Sequence, residues 1–258
     1  MGDKIGLLIA PVALAPGAAL AGAWPQAPGE TQVIASYEPG TATRAFDSSG
    51  DRTLALSTWQ QTDATLFIDH GVSQHFTFTA KVDLQSYKTA TARFSGLGSL
   101  ELGGRWTVHQ GKTFVLALGA SAIGGQGRRE TFDMAGKHGT DYDLRAYAGH
   151  AFKIRGIDAF VDLQAARYLR QKETNQWRLD ATLGVKPSPR WMVMAQVFAG
   201  QTDKQAWGQS KWANTQLSVV RNFGPQQNLS LQLAVRQTVA GRSVPAVNAV
   251  VISLWKRF

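Results

Sequence analysis

The chain has 258 residues, no cysteine, 27 Lys and Arg against 18 Asp and Glu, and a formal charge of +9 at pH 7. Without cysteine there can be no disulfide and no lipid attached to an amino-terminal thiol, and beyond the amino terminus no stretch approaches the ~20 apolar residues of a membrane helix. The basic balance invites a nucleic-acid reading, but no basic helix, zinc-ligand spacing or RNA-binding signature accompanies it, so nucleic acid is not an expected partner.

At the amino terminus, Met1-Gly-Asp-Lys4 is a short basic segment, Ile5 to Leu20 is mostly apolar or small, and Ala19-Leu20-Ala21 fits a small-x-small cleavage site. This is the pattern of a secretory signal peptide over 1–21, cut before Gly22; Pro11, Pro16 and the short apolar length argue against a spanning helix. One domain is expected over 22–258. A mean hydropathy of −0.17 does not decide whether that domain is soluble. In a barrel, lipid-facing and lumen-facing residues alternate and cancel in any window.

Period-2 alternation runs through most of the chain past residue 60. Over 76–84 one face is Phe76, Phe78, Ala80, Val82 and Leu84, and the other is Thr77, Thr79, Lys81 and Asp83. Over 100–108 the apolar face is Leu100, Leu102, Gly104, Trp106 and Val108, opposite Glu101, Gly103, Arg105 and Thr107. Segments 177–185 and 229–236 repeat the rule, with Leu231 and Leu233 alternating against Ser230, Gln232 and Ala234. A helix would scatter these residues around its circumference. The pattern predicts about twelve strands, over 31–39, 56–70, 74–85, 95–108, 112–124, 141–153, 156–169, 175–187, 189–202, 210–222, 226–239 and 246–258. Tight turns fall at 71–74, 109–112, 153–156, 186–190 and 224–227, between longer polar connections at 86–95, 125–140, 170–175, 202–210 and 240–246. Short turns at one end and longer loops at the other are the habit of transmembrane barrels. The expected architecture is a single antiparallel up-and-down transmembrane β-barrel in the outer membrane, its even strand count returning both termini to the periplasm.

Tryptophans sort by strand end: Trp106, Trp191 and Trp255 near the expected periplasmic ends, Trp177, Trp207 and Trp212 near the outer ends. Aromatic residues are expected there, at the two membrane interfaces. The polar faces carry Lys81, Arg105, Arg145, Arg178 and Arg236 against Asp83, Glu101, Asp143, Asp162 and Asp180, an equal number of each sign. An unpaired charge in a narrow lumen is costly to desolvate, so these residues are expected to pair across strands. Either an internal network that holds the barrel or a charged constriction in a pore uses the same residues. Basic residues outside this set, such as Arg128, Arg129, Lys137, Arg170, Lys186 and Arg190, can meet lipopolysaccharide phosphates or lie in solvated loops.

Catalytic patterns are thin. His70, His75, His109, His138 and His150 are scattered without metal-ligand spacing, no G-x-S-x-G elbow occurs, and Gly124-Gly-Gln-Gly127 lacks the strand-to-helix context of a phosphate loop. Asp141 and Asp143 near an outer rim imitate a protease pair, though Asp is common at loop ends. Neither an enzyme, a metal nor a cofactor is expected.

The closing run from Val247 alternates Val250, Ile252 and Leu254 against Val251, Ser253 and Trp255, and stops at Phe258. A carboxy-terminal aromatic residue in an amphipathic strand is the mark of the last strand of a Gram-negative outer-membrane barrel, and Phe258 is the expected signal to the barrel-assembly machinery. Lys256 departs from that mark, which has an apolar residue two positions before the end.

The segments at 22–33, 67–72, 96–103, 176–184 and 189–191 (Pro189-Arg-Trp191), with Leu254-Trp-Lys-Arg-Phe258, together resemble a family of small proteobacterial outer-membrane proteins associated with biofilm exopolysaccharide gene clusters, the Xag type. The resemblance implies a barrel, a link to polysaccharide export and its synthesis and export proteins, and contact with outer-membrane lipid and lipopolysaccharide. It brings no catalytic residue. On this basis passage of a hydrophilic molecule, an exopolysaccharide first, is the expected function, ahead of a closed structural or lipopolysaccharide-binding barrel and of an enzyme on a barrel scaffold.

Overall fold

A computed structural model describes residues 22–125, 139–171, 173–206 and 208–258. The expected signal peptide over 1–21, His138, Trp207 and the basic residues Arg128, Arg129 and Lys137 lie outside the described residues.

The strands in chain order are β1 (Thr31–Phe46), β2 (Arg52–Gly71), β3 (Phe76–Lys88), β4 (Arg93–Gln110), β5 (Phe114–Gly124), β6 (Asp141–Ile154) and β7 (Ile157–Leu169). There follow β8 (Gln176–Ser188), β9 (Trp191–Thr202), β10 (Lys211–Phe223), β11 (Leu229–Arg242), the two-residue β12 (Val244–Pro245) and β13 (Asn248–Arg257). From β1 to β11 each strand pairs antiparallel with the next, β11 pairs with β13, and β1 pairs with both β2 and β13, so the sheet closes on itself as a twelve-stranded barrel with β12 as an extra strand. Closure leaves no long unpaired edge, which is how a sheet satisfies its backbone groups inside lipid.

Side chains alternate across this wall as the strand period requires. Leu102, Leu118, Leu179, Leu183, Leu217, Leu233, Val250 and Ile252 are exposed on the outside, whereas Thr77, Asp83, Arg105, Asp143, Asp162, Ser218, Gln232 and Ser253 are buried inside. The usual arrangement of a soluble domain is inverted, with aliphatic residues outside and polar ones inside. Only hydrocarbon makes the outer surface favourable.

Two departures from the expected spans have local causes. The stretch from Gly40 to Gly50 alternates poorly because of a register shift between Ala42 and Arg44, yet beyond it Arg44, Ala45 and Phe46 pair with Leu54, Thr53 and Arg52. The strands β1 and β2 are therefore longer than the pattern indicated. Likewise, the long connection expected over 86–95 is a tight hairpin in which the Thr89 amide donates to the Ala92 carbonyl at 2.8 Å. The hairpin between β1 and β2 is held by Asp47, which accepts from the amides of Ser49, Gly50 and Asp51 at 2.8–2.9 Å. Those donors, Asp51 first, hold its carboxyl below the ordinary range. The start of β1 and the end of β13 lie at the barrel end carrying the short turns 72–75, 111–113, 155–156, 189–190 and 224–228. The opposite end carries the hairpins 47–51 and 89–92 and the connections that follow β5, β7 and β9.

Phe258 is exposed at the terminal end of β13, where it exchanges backbone hydrogen bonds with Thr31 at 2.9 and 3.4 Å. The Lys256 ammonium lies 5.6 Å from the Phe258 ring. The residue that breaks the expected apolar pattern therefore sits beside the aromatic ring. Deleting Phe258 should lower outer-membrane yield while leaving export unchanged, measured by fractionating cells and following heat-modifiable gel migration. Normal assembly of the truncated chain would remove Phe258 from that role.

Candidate functional site

Inner-face residues of adjacent strands stand side by side, and the antiparallel register decides which charges meet. Across β3 and β4, Asp83 is held by Lys81 at 2.9 Å and accepts from Ser99 at 2.6 Å and, from β2, Thr65 at 2.8 Å. Arg145 on β6 contacts Asp143 at 3.0 Å and Asp180, two strands away on β8, at 2.6 Å. It also donates to Gln164 at 3.0 Å, which in turn donates to Asp162 at 2.8 Å. Lys81, Asp83, Glu101, Arg105, Asp143, Arg145, Arg178 and Arg236 line a lumen cavity of about 610 Å³, and Asp162 and Asp180 stand on the same inner wall in the Arg145 network.

The partners are not all those expected. Arg105 pairs with Asp69 at 3.1 Å, both side chains nearly fully buried, and Arg236 pairs with Glu38 at 2.8 Å. Neither Asp69 nor Glu38 stands in the expected set, although each shares the parity of its inward neighbours: Gln32, Ile34 and Ser36 on β1, Thr65 and Phe67 on β2. The signal was present but obscured, since the apolar Ile34 and Phe67 share those inner faces. Arg178 donates to Gln176 at 3.0 Å and stacks on Tyr168 at 4.0 Å, while Arg236 lies 4.8 Å from the Phe198 ring. Flat guanidinium and aromatic surfaces therefore face the same lumen as the paired charges.

Tryptophan positions divide. Trp106, Trp177 and Trp191 are exposed on the outer wall near strand ends. Trp255 points inward instead, buried in a cluster with Phe160, Met192, Met194 and Val220. It shares the parity of Val251 and Ser253, so when Leu254 faces lipid Trp255 must face the lumen. Trp212 also lies inside, packed against Phe46, Val244 and Ala246, because it alternates with the outward Lys211 and in step with Gln216 and Ser218. Strand-end position alone did not reveal the face.

Residues 22–26 also enter the lumen. The Ala23 amide donates to Asp162 at 2.8 Å, Arg105 donates to the Trp24 carbonyl at 3.1 Å, and the Trp24 ring meets Phe160 edge-on at 5.8 Å. At the opposite end, Trp59, Tyr87 and Phe94 stack along the inner wall, with centroids 5.4 and 5.6 Å apart. At that same end but on the outer face, where Arg167 lies 5.0 Å from the exposed Trp177 ring, Arg167 donates twice to Asp203, at 2.7 and 2.6 Å, and holds that carboxyl below its ordinary range. Among the described residues no group of His, Cys, Asp and Glu could hold a metal ion.

No family model matches the chain. No curated protein matches it either. Among solved structures it is similar to the COG4313 outer membrane channel from Pseudomonas putida F1, with a TM-score of 0.70 at 12% identity over 93% of this chain and 100% of that one. The chain has the fold of a small outer-membrane β-barrel. The NanC porin gives a TM-score of 0.54 at 8% identity over 85% of this chain and 98% of that one. The KdgM porin in complex with disordered oligogalacturonate gives 0.53 at 11% identity over 88% and 99%. In this barrel, then, the charge pairs of Arg105, Arg145 and Arg236 and the guanidinium groups stacked on Tyr168 and Phe198 belong to the wall of the lumen.

Proposed function

We propose that this chain is an outer-membrane channel through which a small hydrophilic molecule passes, with both termini on the periplasmic side. The observation that carries the reading is the polar, charge-lined cavity enclosed by a barrel whose outer wall is apolar. The similarity in fold to the COG4313 channel and to porins supports it. For the solute, an exopolysaccharide or its fragments is the first candidate. Sugar rings stack on aromatic faces and their hydroxyls accept from guanidinium groups, and the Tyr168–Arg178 and Phe198–Arg236 pairs offer both. Lipid and lipopolysaccharide around the wall, and the barrel-assembly machinery at Phe258, complete the proposed partners.

Planar-bilayer recording tests this. The purified protein should give discrete current steps, and Arg178→Ala should shift the reversal potential toward cation selectivity, because a fixed positive charge leaves the wall. Oligosaccharides should reduce the current. A second reading, a closed structural barrel, is favoured by the mutual pairing of charges such as Arg145 with Asp143 and Asp180. On that reading no current steps occur, and Arg178→Ala lowers thermal stability only.

A further inference from the structure

The terminal end of the lumen is built around a segment of this chain. Thr31 begins β1, yet the preceding residues turn back into the barrel rather than away from it. Gly29, with φ of +83°, makes the turn, in the left-handed region that favours glycine. Its amide donates to the Gly71 carbonyl at 2.7 Å, and the Gly71 amide donates to Glu30 at 2.9 Å. From there the segment climbs the inner wall. The Gln26 amide donates to Thr77 on β3, at 3.3 Å. The Trp24 carbonyl accepts from Arg105 on β4, and the Ala23 amide donates to Asp162 on β7. Ala23 has no solvent exposure.

The wall is shaped to this segment. A Cβ on Gly149, which faces the lumen from β6, would stand 2.6 Å from the Trp24 ring, and one on Gly71 would stand 2.1 Å from the Ala27 carbonyl oxygen. Side chains larger than hydrogen are excluded at both points. Trp24 completes the apolar cluster of Phe160, Met192, Met194, Val220 and Trp255, packed together with Ile34. Apolar side chains inside a hydrophilic lumen need a reason, and an apolar occupant to cover them supplies one.

We propose that this end of the lumen is a peptide-binding socket whose occupant is the chain's own residues 22–27, and that the barrel conducts only while that segment is released about Gly29. The segment's contacts come from backbone amides and carbonyls, one aromatic anchor and a long side-chain bond from Gln26 to Gln32 at 3.5 Å, a set that can be broken without disturbing the strand ladder. Closed and open states then differ by the socket contacts alone, and weakening those contacts shifts the population toward the open state.

Three variants test this in bilayers. Trp24→Ala removes the anchor, Gly149→Val fills its socket from the wall, and Ala23→Cys reports on release, since the chain has no other cysteine. Heat-modifiable gel migration serves as the check that each variant folds. Trp24→Ala and Gly149→Val should each raise the open probability roughly tenfold, as expected when a closed-state contact is lost. Ala23→Cys should react slowly with a membrane-impermeant thiol reagent, and faster by a similar factor when combined with Gly149→Val. Unchanged open probability and unchanged labelling in folded variants would overturn the socket, as would full conductance from Ala23→Cys while its thiol stays unreactive. Faster labelling without any current would uphold the socket and overturn the channel reading, so the two fail separately.

Discussion

Arg105→Ala should lower the unfolding free energy by about 3–5 kcal/mol, the usual cost of breaking a buried ion pair from one side. Arg105 and Asp69 are 3% and 5% exposed at the side chain and lie 3.1 Å apart. Removing the guanidinium leaves a carboxylate inside the wall with no cation against it, and also removes the donor to the Trp24 carbonyl. Urea titration of the barrel in lipid vesicles measures the loss. Replacing both partners, as Arg105→Leu with Asp69→Leu, should recover much of it, since no charge is then stranded. A loss below about 1 kcal/mol in the single variant would mean that water reaches the pair and screens it.

Leu233→Arg should cost about 2–4 kcal/mol, the price of an arginine on the lipid face of a barrel near mid-membrane. Leu233 is exposed on the outer wall, beside Val219 on β10 and Ile252 on β13, all three aliphatic and outward. Gln232, the next residue back, is buried inside and donates to Ser218 at 2.9 Å. Gln232→Arg places its charge among polar groups and should cost much less. Folding titrations on the two variants compare the faces directly, and equal losses would contradict the assignment of inside and outside on β11.

Much of this architecture was legible because a strand shows one bit per residue. Once Leu231 and Leu233 are taken as outward, Ser230, Gln232 and Ala234 must be inward, and the same parity carries Lys81, Arg105, Arg145, Arg178 and Arg236 to the inner wall. Parity fails where the chain slips. The bulge at Ala42 and Arg44 broke the alternation and concealed the outer halves of β1 and β2. Trp212 and Trp255 stand near strand ends, where interface aromatics are expected, but parity turns both inward, Trp255 opposite the lipid-facing Leu254.

The sequence by itself determined the strand periodicity, the aliphatic outer face and the polar inner face, because each depends on neighbours two residues apart. Only the tertiary structure decided which charges pair. Asp69 meets Arg105 and Glu38 meets Arg236 because of how staggered strands lie around a closed wall, a relation between residues 36 and 198 positions apart in the chain. It alone decided the fate of residues 22–30 as well. In sequence they are a short Ala-, Gly- and Pro-rich lead into β1; in the barrel, Phe160, Asp162, Arg105 and Gly149, drawn from three other strands, make one surface that receives Ala23 and Trp24. Such a surface exists only once the barrel closes, and no local pattern encodes it.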